Sequence, residues 1–93
     1  MTEIEPHTAP PLIDFPCEFA IKVMGATQDD FAQTIIDLIQ TLAPTFSAAN
    51  VEMRASSGGK YISLTCTVYV DSQFMLDNIY RLISAHPLVK FAL

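Results

Sequence analysis

An α+β sandwich with the element order βαββαβ is what this sequence predicts, on three observations. Residues 17–24 and 61–70 alternate side chains with period two, the mark of a strand with one buried face. Residues 31–42 and 75–83 repeat apolar side chains at helical spacing instead. Between these segments stand turn signals, above all SSGGK at 56–60.

The first strand lies in FPCEFAIKVMG, residues 15–25. Cys17, Phe19, Ile21 and Val23 fall on one face, and Glu18, Ala20, Lys22 and Met24 on the other. Gly25 is expected to end it in a tight turn that needs positive φ. Thr27 is the expected N-cap of the first helix, with Asp29 and Asp30 in its first turn, where the helix dipole favours acids. Phe31, Ile35, Leu38, Ile39 and Leu42 form its apolar stripe, and Ala43-Pro44 stops it, because the residue before proline is pushed out of the α region.

Val51, Met53 and Ala55 alternate with Glu52 and Arg54 in a second strand. The SSGGK turn leads into the longest strand. There Ile62, Leu64, Cys66, Val68 and Val70 point one way, and Tyr61, Ser63, Thr65, Thr67 and Tyr69 the other. Asp71 or Ser72 caps the second helix, centred on Leu76, Ile79 and Ile83, and His86-Pro87 ends it. A short last strand at 88–93 is expected to turn Val89, Phe91 and Leu93 inward. Short connections and right-handed crossovers make this order a ferredoxin-like sandwich. Its sheet has four mainly antiparallel strands, the first and third central, with both helices on one face.

Residues 1–11 (MTEIEPHTAPP) read as a flexible N-terminal tail and residues 12–93 as a single domain. The tail is acidic and proline-rich without an apolar core, so it is not expected to be a signal peptide, and the expected compartment is the cytoplasm. Hydrophobic residues make up 51% of the chain. About twenty inward apolar side chains, at roughly 1.5–3 kcal/mol each, suffice to drive folding of a small domain. The net charge of −5 argues against nucleic-acid binding and against a polybasic membrane surface. Tyr61 and Tyr69 stand on the strand and face that RNA readers of this fold use. The first strand, however, has no aromatic there and the RNA-binding sequence pattern is missing.

No catalytic or metal-binding constellation emerges, and no cofactor is expected. Cys17 and Cys66 share the inward parity of neighbouring central strands, where two thiols could meet; both read as core thiols rather than nucleophiles. SSGGK lacks the spacing of a phosphate loop and reads as a hairpin turn. The functional information lies on the sheet face without helices. By parity it carries Ala20, Lys22 and Met24; Glu52 and Arg54; Tyr61, Ser63, Thr65, Thr67 and Tyr69; and Leu88, Lys90 and Ala92. Three of the five basic residues, Lys22, Arg54 and Lys90, are among them, while most acids fall on or beside the helices. Such positions suit plain solvent exposure. They also suit a contact surface for a second copy of the chain or for an acidic protein partner.

The chain resembles the YbeD-like family of small uncharacterised bacterial proteins. The resemblance rests on FPCEFAIKVMG at 15–25, LAP at 42–44, SSGGKYISLT at 56–65 and the short terminal strand at 88–93. It covers roughly residues 12–93. The paired Gly58 and Gly59, where the family usually has one glycine, and a longer tail are the departures. The resemblance implies a fold similar to ACT-like regulatory domains, which bind amino acids or related metabolites, usually between subunits, near the loop after the first strand. Here that loop is Met24, Gly25, Ala26 and Thr27. It also implies a role beside lipoyl attachment, near whose genes the family's own tend to lie. An acidic lipoyl or acyl carrier domain would suit a basic sheet face. The expected function is therefore a non-catalytic regulatory or adaptor domain acting through the open sheet face, with Lys22, Arg54, Tyr61, Thr65, Thr67, Tyr69 and Lys90 as the interaction residues. The alternative is a small-metabolite sensor that binds at Met24–Thr27 of a dimer.

Overall fold

The computed structural model describes residues 13–93, so the expected N-terminal tail lies outside the described residues. Strands β1 (Cys17–Ala26), β2 (Val51–Ala55), β3 (Tyr61–Val70) and β4 (Val89–Ala92) alternate with helices α1 (Phe31–Gln40) and α2 (Gln73–Ser84) in the order βαββαβ. They form one four-stranded sheet in the order β2-β3-β1-β4, antiparallel at every junction. The ferredoxin-like arrangement, with the first and third strands central, is as the sequence predicts.

The β1–β3 pair is the spine of the sheet. Its register runs unbroken from Cys17 opposite Val70 to Ala26 opposite Tyr61. The buried members are those the alternation predicts: Ile21 and Val23 on β1, and Ile62, Leu64, Cys66, Val68 and Val70 on β3. Phe31, Ile35, Ile36 and Ile39 from α1 and Leu76, Ile79 and Ile83 from α2 complete one hydrophobic core on that side of the sheet. Ile36 takes the buried place expected of Leu42, which is 39% exposed and lies past the end of α1 at Gln40. Phe46, unassigned by helical spacing, is buried below the loop that follows α1, where its carbonyl accepts a hydrogen bond from Gln40 Nε2 at 2.8 Å.

Three local expectations are corrected. Gly25 neither ends β1 nor has positive φ; it is a buried strand residue, and the positive-φ glycines are Gly58 (φ 89°) and Gly59 (φ 73°) of the SSGGK hairpin. Thr27 does not cap α1. That helix starts at Phe31 behind Asp30, which makes no side-chain cap, and neither Asp29 nor Asp30 is inside its first turn. Thr27 instead donates its hydroxyl proton to the Gly59 carbonyl at 2.6 Å, while its backbone N–H donates to the Lys60 carbonyl at 3.0 Å. The two cysteines do not meet. Cys17 lies opposite Val70 and Cys66 opposite Ile21, about 13 Å apart along the strand direction. At the second helix, Ser72 is the cap: its Oγ accepts the Met75 N–H at 3.1 Å.

The largest correction concerns β4. Val23 pairs with Ala92 and Met24 with Phe91, but Gly25 pairs with Val89, so Lys90 is an extra residue in a β-bulge. Beyond the bulge the parity of β4 inverts. Ala92, opposite inward Val23, packs against the core, and Phe91, opposite outward Met24, stands on the open face. Leu93 exchanges backbone hydrogen bonds with Lys22 at 3.0 and 2.7 Å and shares its outward side. Leu88, expected on the open face, packs against the core. Only Val89 keeps its expected inward side. No helix among the described residues is long and apolar enough to cross a membrane.

Candidate functional site: the open sheet face

Directly paired residues of antiparallel strands point to the same side, so the register lays out the open face as rows across the sheet. One row runs Glu52, Thr65, Lys22, Leu93, and the next Arg54, Ser63, Met24, Phe91. Tyr61 beside Ala26 closes one end. Ala20 beside Thr67, then Glu18 beside Tyr69, close the other. Lys22 is exposed, as expected for the solvent side of a central strand.

The seven expected interaction residues do not make one patch. Lys22, Arg54, Thr65, Lys90 and Tyr61 gather toward the half of the face that contains β4. Thr67 and Tyr69 lie toward the other end, and the two tyrosines are eight residues apart on β3, roughly 27 Å. The gathered half contains residues that simple alternation turned inward. Phe91 is 47% and Leu93 68% exposed, beside partly exposed Met24 and Tyr61 at 41%. Together they make an apolar strip, with Lys22, Lys90 and Arg54 in or beside its rows. Among the described residues Glu52 and Glu18 are the acids of the face; Asp37, Asp71 and Asp77 lie on or beside the helices. No signal in VKFA alone marks the inversion, because a four-residue strand is too short to show its own bulge.

Two shallow depressions mark this half. One of about 500 Å³ is lined by Lys22, Glu52, Met53, Arg54, Ser63 and Thr65. The other, of about 460 Å³, is lined by Met24, Tyr61, Lys90 and Phe91. Of the expected ligand loop, Met24 borders the second depression. Gly25 is buried, Ala26 is half-buried at the end of β1, and Thr27 is tied to the SSGGK hairpin. A Cβ at Gly25 would collide with the Leu88 carbonyl oxygen and the Phe31 ring, so the glycine serves close packing.

Reactive chemistry elsewhere is muted. Burial pushes the Cys66 thiol up to about 11 by desolvating its thiolate. His86 Nδ1 accepts the Leu88 N–H at 3.1 Å and so shapes the turn from α2 to β4. Among the described residues no group of His, Cys, Asp and Glu is placed to hold a metal ion.

The family model described as "Protein of unknown function (DUF493)" matches residues 10–93. A UPF0250 protein of Ralstonia nicotianae is 51% identical over 82 residues, 88% of this chain and 84% of its own. A UPF0250 protein of a Janthinobacterium species is 46% identical over 93 residues, 100% of both chains. The solution structure of protein HP0495 from H. pylori matches with a TM-score of 0.76 at 22% identity, covering 100% of this chain and 98% of that one. At that identity the structural match speaks for the fold alone. The chain belongs to the DUF493/UPF0250 family of bacterial proteins, in keeping with its YbeD-like resemblance.

Proposed function

We propose that this DUF493 protein is a non-catalytic, cytoplasmic adaptor or regulatory module whose open sheet face receives an acidic protein partner. The observation that carries this reading is the inverted parity of β4, which sets Phe91 and Leu93 on the open face beside Met24 and Lys22. An exposed apolar strip with a cationic rim has the anatomy of a protein contact: an apolar centre that excludes water and peripheral charges that steer the partner. The cations stand out because the chain as a whole carries −5.

The test is an amide-shift titration of the labelled protein with an acidic lipoyl carrier domain and an acidic acyl carrier domain. The expected outcome is saturable shifts at Lys22, Met24, Lys90, Phe91 and Leu93 that weaken with added salt and vanish in Lys22→Glu. Shifts confined to the helices, or none with either carrier, would sink this reading.

A second reading, an amino-acid-type sensor at Met24, Gly25, Ala26 and Thr27 of a dimer, is favoured by one observation. The depression bordered by Met24, Tyr61, Lys90 and Phe91 lies beside that segment. A pooled amino-acid panel in the same titration would move Met24 to Thr27 if this reading holds.

A further inference from the structure

Among the described residues β2 has no neighbour on its outer edge, and that edge carries a pattern that the open face does not explain. The backbone hydrogen bonds of an antiparallel strand alternate sides. Ser56 donates its N–H to the Tyr61 carbonyl at 2.9 Å, and the register from there to Val51 opposite Cys66 is regular. Ser56, Arg54 and Glu52 therefore spend their backbone groups on β3. The N–H and C=O groups of Val51, Met53 and Ala55 point outward from the sheet edge. The same alternation carried across β3 turns the backbone of Lys22 toward β4, where its bonds to Leu93 are found. Glu52, Met53, Arg54 and Ala55 are all exposed, and Met53 is 63% exposed despite its apolar side chain.

We propose that two copies of this chain pair edge to edge through β2, antiparallel, about a two-fold axis at Met53. In that register Met53 faces Met53, Val51 of each copy faces Ala55 of the other, and Glu52 of each copy faces Arg54 of the other. The residues with outward-pointing backbone groups meet one another, so each such pair exchanges both of its hydrogen bonds. Glu52 and Arg54 project on the open face, opposite Thr65 and Ser63, and meet across the seam as opposite charges in the closer, non-hydrogen-bonded pairs. Met53, on the other side of the sheet, covers its counterpart.

The charges choose the register. Sliding one strand by two residues sets Glu52 against Glu52 in one direction and Arg54 against Arg54 in the other, and directly opposed like charges are unfavourable. Charges on an edge strand ordinarily discourage pairing; here their spacing leaves one pairing satisfied. The interface is isologous, with the same patch on both copies, as a two-fold dimer requires. Because the axis stands perpendicular to the sheet, the two open faces join into one continuous surface.

The test combines charge reversal with amide exchange. Wild-type protein should show a concentration-dependent monomer–dimer equilibrium by sedimentation. Amide exchange at Val51, Met53 and Ala55 should slow as concentration rises, while exchange at Glu52 and Arg54 stays independent of concentration. Glu52→Arg and Arg54→Glu should each weaken self-association roughly tenfold or more. An equimolar mixture of these two variants should restore dimers, because each arginine then meets a glutamate. A wild type that stays monomeric at its solubility limit overturns the proposal. So does concentration-dependent protection at other residues, or a mixture of the two variants no more dimeric than either alone.

Discussion

The ring of Phe31 fills the space that a side chain at Gly25 would need, with the carbonyl of Leu88 closing the other side. This contact locks the start of α1 and the entry to β4 onto the C-terminal end of β1. Gly25→Ala should therefore destabilise the fold by about 1–3 kcal/mol, as overpacked core substitutions do. Urea denaturation measures it. An unchanged midpoint would show that Phe31 and the 88–89 backbone yield without cost.

Thr27 connects the β1–α1 turn to the SSGGK hairpin through its bond to Gly59. Thr27→Val keeps the shape and removes the hydroxyl, so the expected loss is about 0.5–1.5 kcal/mol. Faster amide exchange at Thr27 should accompany it. A loss without local change in exchange would place the effect elsewhere.

The two helix starts should respond differently. Ser72 accepts the Met75 N–H, and Ser72→Ala should cost about 1 kcal/mol. Asp30, at the equivalent position before α1, makes no side-chain cap, so Asp30→Ala should change stability by no more than about 0.5 kcal/mol. Equal losses in parallel denaturation curves would contradict the cap assignment.

The bulge in β4 makes a pairwise prediction. Phe91 is on the open face and Ala92 against the core. Phe91→Asp should cost less than about 1 kcal/mol, and Ala92→Asp about 1–3 kcal/mol, the penalty for burying an unpaired polar group. Simple alternation orders the two substitutions the other way, so their rank in thermal unfolding decides the parity.

Cys66 supplies a pH dependence. Its folded value of about 11 lies above the ordinary 9.0. Below the unfolded value both states keep the proton and the stability is fully present. As pH rises from about 9 through about 11, the unfolded chain ionises first and stability is progressively lost. Denaturation at rising pH should show this slope, and Cys66→Ala should reduce it. In the folded protein a thiol reagent should modify Cys17, which is partly exposed, well before Cys66.

Alternation in CEFAIKVM and YISLTCTVYV specified which side chains of the central strands face the helices, because one slip of register would expose every apolar residue of the strand. The open face and its Lys22, Thr65 and Arg54 followed from the same pattern. The short segments were less informative. VKFA has too few residues to reveal a bulge, so Phe91 and Leu93 read as core when they form the apolar strip of the candidate site. The helix start was misplaced because Thr27 offers a hydroxyl to any nearby acceptor. The one it uses, the Gly59 carbonyl, is thirty-two residues away in the chain.

The sequence by itself determined the element order, the two long strands with their buried faces, and the acidic balance that makes three cations on one surface notable. Those properties are local or compositional, so period and residue type suffice to express them. The tertiary structure decided the parity of β4, the reason for Gly25 and the separation of the two thiols. Each depends on which backbone comes alongside which, and hydrogen-bond register between distant segments leaves no mark in either segment alone.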